Sequence, residues 1–189
     1  MSKSKVTPVG RCSFPHLDKP GEYNKYSVTI LLPKTGKDVP EFVAWLKQSA
    51  QEEASAVAGN KAKEALALFT NFRDGDDTTA FKTWRDQYKG HWVLSCSRKA
   101  EHGKPTVVNR MRKPIDASEV YAGCDILLFI DVFGYSFGNK KSVSISFQHV
   151  MKVAENTPFA GGVGAEDAFK DIDLPEEKTD DLVNPFAGL

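Results

Sequence analysis

The sequence predicts a mainly β fold: a small β-barrel with a helical insertion, followed by an acidic C-terminal segment. The first observation is a long β-hairpin pattern, in which residues 125–137 and 143–153 are joined by Gly138-Asn139-Lys140-Lys141. The second observation is that the first arm is apolar on both faces, whereas the second arm is apolar on one face only. A strand that is buried on both sides for part of its length is expected where a sheet curls into a barrel.

The N-terminal part of the chain supplies two β patterns. Residues 6–14 are predicted to form an extra strand at an edge, with Gly10 as a bulge and Pro15 at its end. Residues 23–32 alternate between apolar and polar side chains, which predicts a strand that Pro33 ends.

A helical insertion follows these strands, and it spans about residues 38–70. Its helix is predicted to begin at Asp38-Val39-Pro40, because Asp can cap a helix and Pro is tolerated in the first turn. Gly59-Asn60 is expected to break the helix. Beyond the insertion, Asp77 is predicted to cap the segment 79–88.

The remaining β patterns complete the predicted barrel. Residues 91–97 and 106–110 are expected to form a hairpin through a basic turn. The main predicted strands are residues 23–32, 91–97, 106–110, 125–137 and 143–153. Five strands with a helical insertion predict a five-stranded Greek-key barrel of the OB-fold type. A β-sandwich is the competing architecture.

The composition is that of an ordinary globular domain with residues left for an extension. The chain has 189 residues, of which 41% are apolar and 26% charged. No apolar run approaches the ~20 residues of a membrane span, and the basic N-terminus has no apolar segment behind it, so a cytoplasmic protein is expected. Cys12, Cys96 and Cys124 are widely spaced without a Cys-x-x-Cys pair, which argues against disulfides and a zinc site.

The zero net charge of the chain hides an asymmetry between body and tail. Residues 1–154 carry 23 Lys and Arg against 16 Asp and Glu, a net charge of +7. Residues 155–189 carry 2 against 9, a net charge of −7. This distribution predicts a basic body that binds a polyanion and an acidic segment that can compete with it. The alternative is a tail that serves solubility alone.

The residue patterns of common enzymes are missing from the sequence. It contains no phosphate-binding Gly-rich loop, no His-x-x-x-His pair and no nucleophile elbow, so neither catalysis nor a cofactor is expected. The alternative is a metal-dependent nuclease that uses Asp74, Asp76 and Asp77. Arg85 stands where a calcium loop would need its bidentate Glu, and a turn without metal is therefore favoured.

Basic residues interleaved with aromatic ones form the most informative pattern. A protein that binds single-stranded nucleic acid needs positive charge along the phosphates and flat rings for unstacked bases. OB barrels place such a groove across strands two and three and the adjoining loops. Trp92 and Tyr135 can each stack on a base or lie in the core; the core is favoured for Trp92, and the choice is open for Tyr135. The residues predicted to contact DNA are Lys25, Trp92, Arg98, Lys99, Lys104, Arg110, Arg112, Lys113, Tyr135, Lys140 and Lys141.

Six segments of the chain together form a recognisable set: 72–76, 120–124, 131–135, 143–150, 158–162 and 165–169. They resemble a family of tailed-bacteriophage single-stranded DNA-binding proteins with an OB fold and an acidic C-terminal tail. The resemblance implies binding without sequence preference and a role in phage replication or recombination. Residues 171–189 also resemble the interaction tails of this group, in which acidic residues lead to a terminal Phe. In this chain Phe186 is followed by Ala187-Gly188-Leu189.

The expected organisation is therefore an OB-fold domain over residues 1–156 and a flexible acidic tail over residues 157–189. The expected partner is single-stranded DNA, bound and protected without catalysis, and no membrane association is expected. Asp180, Asp181 and Phe186 in the tail are candidates for docking phage or host replication proteins. A structural phage protein with a β-barrel is a further alternative.

Overall fold

A computed structural model describes residues 3–159 and 171–173 of the protein. Within these residues, eight strands form one sheet: β1 Lys3–Val6, β2 Gly10–His16, β3 Lys25–Pro33, β4 Phe72–Asp74, β5 His91–Lys99, β6 Thr106–Asn109, β7 Asp125–Phe137 and β8 Lys140–Ala154. Two α-helices, α1 Val39–Ala58 and α2 Ala62–Ala67, lie between β3 and β4. The predicted helical insertion is thereby confirmed, as is its break, since Gly59–Lys61 forms a 3₁₀ turn between the helices.

The sheet curls until its two ends meet. Its strand order is β4-β5-β3-β2-β7-β8-β6, and β1 pairs with β7. The strands β5 and β8 are far apart in this order, yet they contact each other. β6, which follows β5 along the chain, pairs with β8 in parallel. The strands β2, β3, β5, β7 and β8 thus form the partly open, five-stranded barrel of an OB-type fold.

The core fills the space between the inner side of this barrel and α1. Alternate residues of β7 share the inner side, as predicted. Fully buried side chains from three strands meet there: Val28, Ile30, Ile126, Leu128, Ile130, Ile145 and Phe147. α1 presents a stripe at helical spacing to the same core: Phe42, Val43, Leu46 and Ala50. Burial of a continuous apolar surface is what holds the insertion on the barrel.

The prediction of one opening strand at an edge was wrong. Residues 6–14 contain the end of β1 and most of β2, and β2 lies between β3 and β7 in the middle of the sheet. Between β1 and β2, Thr7 holds the chain against β7: its N–H donates to the Leu128 carbonyl, and its hydroxyl accepts from the Leu128 N–H. β2 continues through Pro15, and its irregularity falls between Ser13 and His16 rather than at Gly10.

The predicted hairpin between residues 91–97 and 106–110 was also wrong. β5 pairs with β3 and β4, whereas β6 pairs with β8 over Thr106↔His149 to Asn109↔Lys152. A 3₁₀ turn at Ala100–His102 and Gly103, with a φ of 85°, redirect the chain between the two strands. Two β patterns in sequence do not specify whether they pair with each other or with distant strands.

Two other turns differ in detail from the prediction. The turn of the β7–β8 hairpin is the pair Gly138-Asn139, and Lys140 and Lys141 already belong to β8. The side chain of Asp77 accepts a hydrogen bond from the Thr79 N–H as predicted, but the segment behind it forms two separate 3₁₀ turns, Thr78–Ala80 and Asp86–Tyr88.

The chain divides into one compact unit over residues 1–159 and a second over residues 160–189, of which residues 171–173 are described. None of the helices in the described part of the chain is long and apolar enough to cross a membrane.

Candidate nucleic-acid interface

The outer face of β2, β3 and β5, on the opposite side from the core, is the candidate interface. Antiparallel pairing places its side chains in rows that run across the strands. The four rows are Arg11–Leu31–Val93–Arg73, Ser13–Thr29–Ser95, His16–Ser27–Ser97 and Lys25–Lys99. No row contains a carboxylate. The outer face therefore offers hydroxyl groups and cations to a ligand.

The middle rows form a polar floor. The hydroxyls of Thr29 and Ser95 hydrogen-bond to each other at 3.2 Å. The Ser13 hydroxyl, which is buried, accepts a hydrogen bond from the Gln87 side chain at 2.9 Å. At one end of this floor, Lys25 and Lys99 are paired across the strands. Two like charges that lie side by side on an exposed surface are a suitable arrangement for neighbouring phosphates.

The segment 75–90 covers the first row. Phe81, Trp84 and Tyr88 from this segment pack against Leu31 and Val93. Gly75 makes the close approach possible, because a Cβ there would lie 2.0 Å from the Tyr88 carbonyl oxygen. The Trp84 indole donates to the Gly75 carbonyl at 2.8 Å, which fixes the segment at its beginning.

Three arginines lie over phenylalanine rings at the border of this cover, and we call the three pairs the Arg–Phe wall. The distance from the guanidinium carbon to the ring centroid is 4.0 Å for Arg11–Phe159, 4.5 Å for Arg73–Phe81 and 4.8 Å for Arg85–Phe14. Within the described residues, none of these arginines forms a salt bridge with a carboxylate. Stacking holds the cations in place while their charge remains available to an anion.

The end of β2 and the connection from β2 to β3 add exposed aromatic rings beside the floor. The side chain of Tyr23 is 87% exposed and that of Phe14 is 42% exposed. Phe14, Tyr23 and Asn24 all adopt positive φ angles of 47°, 57° and 54°. Non-glycine residues in this region are uncommon, and such strain is often found where a side chain is held for a ligand.

The structure brings only part of the predicted DNA-contact set together. Lys25 and Lys99 face each other on the outer face. Arg98 belongs to the opposite side of β5, and its guanidinium donates to the carbonyls of His102 and Gly103, so it stabilises the turn after β5. Lys104 binds Asp18 at 2.6 Å.

Trp92 lies on the inner side of β5 and packs against the core. Its ring stacks on Phe72 with the centroids 5.0 Å apart, and the ammonium groups of Lys34 and Lys47 lie 4.8 and 5.3 Å from it. These contacts are those of a structural side chain.

The remaining predicted residues occupy two other places. Arg110, Arg112 and Lys113 belong to the turn after β6, the strand at the other end of the sheet from β4. Tyr135, Lys140 and Lys141 lie at the β7–β8 hairpin, where Phe137 is 79% exposed. The strand directions place this hairpin turn and Lys25 at opposite ends of the sheet. Asp180, Asp181 and Phe186 lie outside the described residues.

The three carboxylates considered for a metal do not converge. Asp74 and Asp76 both bind the Lys34 ammonium, at 2.6 and 2.7 Å, whereas Asp77 caps the following turn. The hydrogen bond from Lys34 is the main cause that lowers the pKa of Asp74 and of Asp76. Among the described residues, no group of three side chains is arranged to hold a metal ion.

The Arg–Phe wall is not predicted from the sequence. Arg11, Arg73 and Arg85 are isolated in sequence, and each ring partner lies at least eight residues from its arginine. The pairing of β2, β3, β5 and β4 brings Arg11 and Arg73 into one row, and the segment 75–90 brings Arg85 over Phe14. The local signal that could have found Arg11 is its place between Gly10 and Cys12, which are buried and turn it to the outer face of β2.

Comparisons with known proteins agree with this architecture. A family model described as "Enterobacter phage Enc34, ssDNA-binding protein" matches residues 4–183. No curated protein gives a significant sequence match.

Solved structures show the same fold. The single-stranded DNA-binding protein from bacteriophage Enc34 is 26% identical, with a TM-score of 0.70 over 88% of this chain and 89% of that one. The same phage protein in complex with ssDNA gives a TM-score of 0.69 at 26% identity, over 82% and 89%. The single-stranded DNA-binding protein gp2.5 of bacteriophage T7, 16% identical, shares the fold with a TM-score of 0.62 over 92% and 96%. The chain belongs to the family of the Enterobacter phage Enc34 ssDNA-binding protein.

Proposed function

We propose that the protein binds single-stranded DNA without sequence preference through its outer face, and that it protects this DNA during phage replication or recombination in the host cytoplasm. The observation that carries the proposal is the outer face itself, where Lys25, Lys99 and the Arg–Phe wall surround a hydroxyl floor without carboxylates. The family membership and the ssDNA complex of the Enc34 protein support it.

The chemistry of the outer face favours single strands over duplexes. Exposed rings such as Tyr23 can stack only on bases that are not already stacked and paired. Cations that bind phosphates make the affinity dependent on salt but not on sequence. The β7–β8 hairpin, with Tyr135, Lys140 and Lys141, joins β7 to β8 as the loop between strands four and five does in OB folds, and we include it as a second contact.

A binding assay with labelled ssDNA and dsDNA in the presence of Mg²⁺ tests this function. Retention of ssDNA over dsDNA without cleavage is expected, because we propose no catalytic role for the protein. Cleavage would support the nuclease alternative that uses Asp74, Asp76 and Asp77. If the protein retains neither ssDNA nor dsDNA, the result would support the alternative of a structural phage protein with a β-barrel.

Replacement of Tyr23 by alanine is expected to weaken ssDNA binding by about 1–3 kcal/mol with the fold intact, because base stacking on an aromatic ring contributes this much. An 87% exposed ring contributes little to the core, so the melting temperature should stay close to that of the wild type. Tyr23→Phe, which keeps the ring, is the matched control. Equal affinities of the alanine variant and the wild type would exclude stacking at this position.

Deletion of residues 171–189 is expected to tighten ssDNA binding at low salt and to have little effect at high salt. The deleted segment carries six acidic residues and one lysine, a net charge of −5. A tethered polyanion is present at an effective concentration on the order of millimolar, and salt screens its attraction to cations. Binding curves at two salt concentrations measure the effect. If the curves of the truncated and full-length proteins superimpose at low salt, the tail does not compete with ssDNA. Its role would then be the second one that we propose, docking of replication proteins through Asp180, Asp181 and Phe186.

A further inference from the structure

A strap formed by residues 155–159 folds back onto the barrel after β8. The Tyr121 hydroxyl donates to the Glu155 carboxylate at 2.6 Å and accepts from the Asn156 N–H at 3.1 Å. The Phe159 N–H donates to the Ala122 carbonyl at 3.0 Å. Residues 157–159 are predicted to belong to the flexible tail, but these contacts make them part of the folded unit that ends at Phe159.

Gly123 lets the strap lie directly on the backbone that leads into β7. Its φ angle is 114°, a conformation that residues with a Cβ rarely adopt. A Cβ at this position would lie 2.4 Å from the Thr157 carbonyl oxygen and 2.8 Å from the Cα of Pro158. Tyr121, Ala122 and Gly123 thus form the surface on which the strap lies.

The strap holds Arg11, the first residue of the outer-face rows. The Arg11 Nε donates to the Gly123 carbonyl at 3.1 Å, and its Nη2 donates to the Thr157 carbonyl. The Phe159 ring lies 4.0 Å from the guanidinium carbon and packs on the cluster of Leu31 and Val93. A guanidinium has five N–H groups, and two of them are used within the described residues.

From this geometry we propose that Arg11 binds a phosphate of the single strand at the first row, and that Phe159 is the positioning residue that fixes its guanidinium. The proposal rests on the proposed function and adds to it two residues that the sequence places in an opening strand and in a tail. A guanidinium that is already oriented by two carbonyls and a ring loses little freedom when it binds, which favours affinity.

Salt-dependent titration of ssDNA against variants of the full-length chain tests the proposal. Phe159→Leu keeps an apolar side chain but removes the ring, and Phe159→Tyr keeps the ring. Arg11→Ala removes the cation, and Lys63→Ala, on the exposed side of α2, is the control for loss of one positive charge. Melting curves for each variant report whether the fold is retained.

Arg11→Ala is expected to weaken binding by about three- to tenfold at low salt and to reduce the salt slope by about 0.7, the contribution of one phosphate contact on a single strand. Phe159→Leu should also weaken binding, whereas Phe159→Tyr, which keeps the ring, should bind like the wild type. Because Phe159 acts through Arg11, the double variant should bind within about twofold of Arg11→Ala alone. Lys63→Ala should leave the slope unchanged.

An unchanged slope for Arg11→Ala overturns the proposal, as does wild-type affinity of Phe159→Leu. Full additivity in the double variant overturns it too, since Phe159 would then act independently of Arg11. These failures differ from failure of the proposed function. If only the proposal about Arg11 and Phe159 fails, the wild type still binds ssDNA and the double replacement of Lys25 and Lys99 still weakens binding. If the proposed function fails, the wild type does not select ssDNA at all.

Discussion

Replacement of both Lys25 and Lys99 by alanine is expected to weaken ssDNA binding by roughly 10- to 100-fold at 50 mM salt. The two side chains lie opposite each other at the end of the hydroxyl floor, and neither is buried. Each phosphate that is neutralised on a single strand releases about 0.7 of a counterion, which corresponds to roughly a factor of ten in affinity at this salt concentration. The slope of log affinity against log salt should therefore fall by about 1.4.

Titration of a labelled oligonucleotide at four or five salt concentrations measures both quantities. The matched control is the double replacement of Lys61 and Lys63, which removes the same charge from the exposed surface of the helical insertion. If the two double variants change the slope equally, the effect comes from net charge and the outer face has no special role. If neither changes it, Lys25 and Lys99 do not contact phosphates.

Replacement of Trp92 by alanine is expected to destabilise the fold by about 3–5 kcal/mol, the cost of truncating a large aromatic residue in a packed site. The ring is stacked on Phe72 and lies against the core on the inner side of β5. Binding of ssDNA should change little under conditions where the variant remains folded. Denaturant unfolding and titration of the same preparation separate the two effects. A stable variant that loses about 1–3 kcal/mol of binding would instead show that Trp92 stacks on a base.

Much of the fold could be predicted from local patterns in the sequence. The alternation in β3, β7 and β8 and the helical stripe of α1 each depend on residues that are close in sequence, and all four elements are observed. The partners of β2 and β6 could not be predicted in this way. β2 is placed in the middle of the sheet by pairing with β3 and β7, and β6 pairs with β8 about 40 residues further along.

A residue of the candidate site could be predicted only where it is basic and also lies on the outward side of a strand. Lys25 is basic and outward on a predicted strand, whereas Lys99 falls in the basic turn predicted after residues 91–97. The structure extends β5 to Lys99 and places the two lysines opposite each other. Arg98 is equally basic, but the alternation of β5 turns it to the other side, where two carbonyls bind its guanidinium. Arg11 and Phe159 are far apart in sequence and meet through the strap, so no local pattern indicates their contact.

Ultraviolet cross-linking of the full-length protein to a thymine-rich single strand, with the linked peptides identified by mass spectrometry, tests the central claim most directly. Binding on the outer face predicts cross-links at peptides that contain the exposed rings beside the floor, Phe14 and Tyr23. These cross-links should weaken as salt rises, and an unlabelled oligonucleotide of any sequence should compete for them. Cross-links confined to the helical insertion or to the turn at residues 110–113 would contradict the account, because the strand would then bind away from the outer face.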